Sequence, residues 1–123
     1  MLMRSSDRVS RMNEIRTHHV PQTIGEIMEH LASMMLTSPD FRDRTGLLPG
    51  RGIDTVFAEL DGGIEIVRKK VGEESYAKLM DLSARMRAHF EADPEDKSED
   101  GIKGSRCIVE MEEILRSVGR RKR

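Results

Sequence analysis

The apolar positions of this chain are spaced for helices, most clearly between Ile53 and Phe90. Ile53, Phe57, Leu60, Ile64, Val67 and Val71 recur at alternating steps of four and three, which puts them all on one narrow helical face. Tyr76, Leu79, Ser83, Met86 and Phe90 continue the rhythm, with one seam position given to a hydroxyl. Between the two runs, Gly72 suits the left-handed residue that ends a helix. Arg68, Lys69 and Lys70 stand at the negative end of the first helix's dipole, and Glu73 and Glu74 at the positive end of the next. So short a turn predicts an antiparallel hairpin whose seams face each other. Gly62 and Gly63 fall inside the first run without breaking its register, so they read as helical residues that either admit close approach of another helix, the favoured reading, or form a surface weak point that tolerates bending.

The flanking elements are weaker but legible. Thr23 and Glu26 have capping-box spacing, and Ile24, Ile27, Met28, Leu31, Met34 and Met35 mark a buried face up to Leu36, where Thr37-Ser38-Pro39 stops the helix. Residues 37–52 form a long connection, with Phe41, Leu47 and Leu48 expected to pin it to the bundle. Glu91-Ala92-Asp93-Pro94 ends the second hairpin helix, and an acidic linker is expected as far as Gly104. Ser105 reads as the cap of a last helix bearing Ile108, Met111, Leu115 and Val118 on one face, with Gly119 placed to end it. Near the start, Val9, Met12, Ile15 and His19 fall at helical spacing. They suit either a frayed tail or a helix that orders on a partner or a second copy. No strand or repeat is evident. The pattern predicts an all-α, up-and-down helical bundle of about four main helices, spanning 21–119, between a basic segment 1–20 and a basic tail 120–123.

Composition makes the core thin. Of 123 residues 37% are hydrophobic, with no Trp, one Tyr and three Phe, so the nine Met must supply volume and adaptable contact surface. The net charge of −1 excludes a general polyanion binder, but the charge is segregated. Arg4, Arg8, Arg11 and Arg16 dominate the first twenty residues, six acids against one Lys fill 91–100, and the last eight residues carry five bases and no acid. A single cysteine, Cys107, permits no internal disulfide and fits a reducing compartment. Without a membrane-length apolar run or a secretory leader pattern, the expected location is cytoplasmic, with no membrane partner.

Candidate chemistry is sparse. Asp96, Ser98, Asp100 and Gly101 match the opening of a calcium loop. Cys107 then stands where a closing Glu is required and Lys103 where an apolar residue belongs, so a solvated acidic linker accounts for them better. A carboxylate-bridged metal pair needs Glu three residues before His; Ile27 precedes His30 and Met86 precedes His89 in that way. Cys107 lacks a neighbouring base and reads as an inert, semi-buried thiol. Gly46, Gly50 and Gly52 with Arg51 hint at an anion cradle, but without a preceding strand or a Lys-Ser/Thr pair. No cofactor is therefore expected, and a non-catalytic role is favoured over a bundle enzyme.

Val56, Ile66, Met80, Leu82 and Val109 lie off the main seams, and together they suggest an interaction surface of a homodimer or of a complex with another protein. The function expected is thus a small intracellular interaction or regulatory protein. The alternative is an accessory nucleic-acid binder that grips phosphates through Arg4, Arg8, Arg11, Arg16, Arg120, Arg121, Lys122 and Arg123.

Overall fold

A computed structural model describes residues 20–39, 41 and 52–121, and among them the chain forms five helices and no strand. These are α1 (Ile24–Thr37), α2 (Ile53–Ile66), α3 (Arg68–Val71), α4 (Glu73–Ala92) and α5 (Glu99–Arg121). They make an all-α bundle, with the most extensive packing between α4 and α5.

Helix α1 starts as its capping box dictates: the Thr23 hydroxyl accepts the Glu26 N–H at 3.1 Å, and the Glu26 carboxylate accepts the Gln22 N–H at 3.4 Å. Ile27, Leu31 and Met34 face inward, and Pro39 follows the end of the helix. Beyond it Phe41 is fully buried, with its ring edge-on to Phe57 and Phe90 at centroid distances of 5.6 and 5.3 Å. Its backbone has φ +57°, a left-handed conformation that costs a non-glycine residue about 1–2 kcal/mol. Burying a ring of this size, at roughly 1.5–3 kcal/mol, offsets that. Leu47 and Leu48 lie outside the described residues.

The first hairpin helix divides in two. At Val67 the backbone turns to φ −92°, ψ 8°, separating α2 from α3. The Val67 N–H still donates to the Gly63 carbonyl at 3.1 Å and the Val71 N–H to that of Val67 at 3.0 Å, so the chain bends rather than stops and keeps Val67 in the core. Gly63 does admit close approach, to the chain entering α1 as well as to α1 itself. A Cβ there would stand 3.1 Å from Pro21 Cβ and 3.2 Å from Ile27 Cγ1. Gly72 ends α3 with φ +88° as a glycine should. Its ψ of 159° is extended rather than helical, a region open essentially to glycine alone.

The α4–α5 connection departs most from expectation. Helix α5 begins at Glu99 rather than at Ser105, so the acidic linker shrinks to residues 93–98. Gly101 and Gly104 are helical, and Gly119 does not end the helix, which runs on to Arg121. The early start is set by Asp93, a buried carboxylate that accepts the N–H groups of Lys97 at 2.7 Å, Ser98 at 3.0 Å and Gly101 at 3.1 Å. Ser98 caps the same turn by accepting the Asp100 N–H at 3.3 Å.

Candidate interaction surface

The outward face of α5 leaves two apolar side chains in water. Gly104, Cys107, Ile108, Met111, Leu115 and Val118 turn inward. On the other side of the helix, Ile102 is 55% exposed and Val109, two turns on, 44%. Around Val109 stand Arg106, Glu113 and Arg116, all exposed, with Ser105 and Glu112 half-buried. Among the described residues, Arg106, Glu112, Glu113 and Arg116 make no ion pair.

The off-seam residues separate sharply. Ile66 and Val109 are each exposed, while Met80 is half-buried and packs on the core. Val56 and Leu82, at 3% and 5% exposure, are core residues and cannot form a surface. Their burial has a simple origin: α2 and α4 each have neighbours on more than one side, so their buried sector is wider than a coiled-coil seam. The pattern missed Ile102, which lay in the supposed linker, and it carried the buried face of α1 through Leu36, which is instead exposed in the last turn. A helix continued back to Glu99 would have put Ile102 in register with Val109.

Other groups are committed to the fold. At the bend into α4, Arg68 forms two hydrogen bonds with Glu73, at 2.8 and 2.7 Å, and lies 4.1 Å from the Tyr76 ring centre. Tyr76 donates its hydroxyl to Glu65 at 2.5 Å. Hydrogen bonding from Arg68 lowers the Glu73 pKa, and hydrogen bonding to Glu65 raises that of the Tyr76 phenol. Arg87 joins Asp54 and Glu91 while lying over the Phe57 ring, and Ser83 donates to Asp61 at 2.6 Å across α4 and α2. His30 Nε2 meets the Val56 carbonyl and His89 Nδ1 meets Asp100, each at 3.0 Å. Burial pushes the Cys107 thiol pKa up, as suits a passive core residue.

The calcium-like residues are spent on starting α5: Ser98 caps it, the Gly101 N–H is held by Asp93, and Asp100 holds His89. No group of three His, Cys, Asp or Glu side chains placed to hold a metal occurs among the described residues. A shallow groove of about 360 Å³ between α4 and α5 is lined by Ser75, Lys78, Glu110, Glu113, Ile114 and Ser117; no His or Cys lines it. At the start of α2, Asp54 puts negative charge where an anion would dock, and Arg51 lies outside the described residues. Arg4, Arg8, Arg11, Arg16, Lys122 and Arg123 also lie outside them, as do the side chains of Arg120 and Arg121. No described helix is long and apolar enough to cross a membrane.

No family model, curated protein or solved structure matches the chain.

Proposed function

We propose that this protein is a small, non-catalytic interaction or regulatory protein that works through a helix face, in a homodimer or in a complex with another protein. The observation that carries the reading is the pairing of Ile102 and Val109, two apolar side chains left in solvent two turns apart on the longest of the described helices. Apolar residues aligned along one stripe mark contact surfaces more than scattered ones do. Ile66 adds to the exposed apolar surface. The single reduced cysteine fits a cytoplasmic site of action.

The test is affinity capture with the tagged full-length chain, beside sedimentation equilibrium of the untagged chain. Self-association, or a retained protein, that is lost on Ile102→Asp and Val109→Asp with helicity unchanged supports the reading. A chain that neither self-associates nor retains any protein sensitive to those substitutions refutes it.

A further inference from the structure

We infer that the outward face of α5 pairs with the same face of a second copy, antiparallel, about a two-fold axis passing beside Val109. This rests on the interaction reading above and adds a partner and a geometry.

The charge pattern of the face selects both. Viewed down α5 at about 100° per residue, Ile102, Val109 and Arg116 form a nearly straight central line. Arg106 and Glu113 fall on one flank, about 60° and 40° from Val109. Ser105 and Glu112 fall on the other. A two-fold axis perpendicular to the helices brings like flanks together and reverses their direction. Residues before Val109 on one copy then lie level with residues after it on the other. Arg106 comes within about 1.5 Å, along the axis, of the level of the partner's Glu113, and the reverse pair forms by symmetry. On the opposite flank Ser105 meets the partner's Glu112. Along the centre Val109 meets its own copy, and Ile102 lies on the aliphatic stem of the partner's Arg116.

Other arrangements of the same face are penalised. A parallel pairing about an axis along the helices would bring opposite flanks together, setting Glu113 against the partner's Glu112, like charges in contact, and leaving Arg106 beside the partner's Ser105. Within the chain, no described residue claims these groups as ion-pair partners, so the antiparallel pairing breaks no existing ion pair. With two exposed apolar side chains per copy the patch is small, which puts the association at the weak end of specific interfaces.

The experiment is sedimentation equilibrium of the full-length chain from about 10 μM to 1 mM at low salt. Four samples are compared: wild type, Arg106→Glu, Glu113→Arg, and an equimolar mixture of the two variants. The wild type is expected to approach twice the monomer mass. Each variant alone sets like charges across both symmetric contacts, so its dissociation constant should rise about tenfold or more. In the mixture both contacts become opposite-charge pairs again, and dimer returns. Both positions are solvent-exposed, so helicity by circular dichroism should be unchanged in every sample.

A wild type that dimerises equally well with either substitution overturns the α5 pairing but leaves the interaction reading standing through another face. A mixture that stays monomeric overturns the antiparallel geometry. A wild type monomeric at 1 mM overturns self-pairing, and the capture experiment then judges the interaction reading separately. A different protein held by this face and released by Val109→Asp, with the chain monomeric, would assign the face to that protein and also overturn self-pairing.

Discussion

The Phe90 ring lies so close to Gly104 that a Cβ on that glycine would stand 2.7 Å from two of its ring carbons. This contact seats α5 on α4. Phe90 is fully buried and edge-on to Phe41, so it has little room to withdraw. Gly104→Ala should therefore destabilise the fold by about 2 kcal/mol, because overpacking outweighs the gain of about 1 kcal/mol in helix propensity. Gly119, in the same helix, has nothing within 4 Å of a Cβ. Gly119→Ala should raise stability by up to about 1 kcal/mol. Urea denaturation of the two variants gives opposite signs, or the account of Gly104 is wrong.

Asp93 makes stability sensitive to acid. Burial alone would push its carboxyl pKa up, but the N–H groups of Lys97, Ser98 and Gly101 outweigh that and leave it below its ordinary value. A carboxyl whose pKa is lowered by folding stabilises the fold fully above the unfolded value of about 3.9. That contribution is lost as pH falls through the folded value. The urea midpoint of the wild type should thus exceed that of Asp93→Asn clearly at pH 7, and the gap should narrow towards pH 3. A gap independent of pH would mean that shape, not charge, holds the turn.

Tyr76 is the chain's one tyrosine, and there is no Trp, so its ionisation can be followed directly by ultraviolet absorbance. The hydrogen bond to Glu65 raises its pKa, and titration should show a midpoint above the usual value of about 10. Glu65→Gln should bring the midpoint down. By linkage, the raised value means this contact stabilises the fold at neutral pH and stops doing so as pH rises through the folded midpoint.

Leu82 and Val109 separate core from surface. Leu82→Ala should cost about 2–5 kcal/mol, whereas Val109→Ser should change monomer stability by no more than about 0.5 kcal/mol. Equal losses in thermal denaturation at concentrations too low for association would contradict the burial that distinguishes them.

Most of the bundle could be read from spacing alone, because α1, α2 and α4 each carry an apolar stripe with local start and stop signals. The Thr23–Glu26 box works as its spacing predicts. What escaped the pattern was tertiary in origin. Glu99 to Gly104 is polar and holds two glycines, which mask the local start signal of Ser98 followed by Glu99 and Asp100. It is helical because Asp93 holds its first turn and because Phe90 requires a residue without a side chain at Gly104. The break at Val67 was hidden for the opposite reason, since the bent chain keeps the same apolar residue in the core. As for the interaction surface, the pattern gave Val109 and Ile66. It promoted Val56 and Leu82 wrongly, because a helix flanked by several others has no dispensable apolar side.

The aromatic trio has a consequence for how the molecule comes apart. Phe41 sits between α1 and α2 in the chain, yet its ring is gripped by Phe57 of α2 and by Phe90 of α4, and Phe90 rests on α5. Position 41 therefore belongs to the same cooperative unit as the bundle, not to a periphery that opens on its own. The Phe41 amide, donated to the Thr37 carbonyl at 2.9 Å, should exchange with deuterium only when the whole protein unfolds. Its protection should then match that of the slowest amides in α4 and α5.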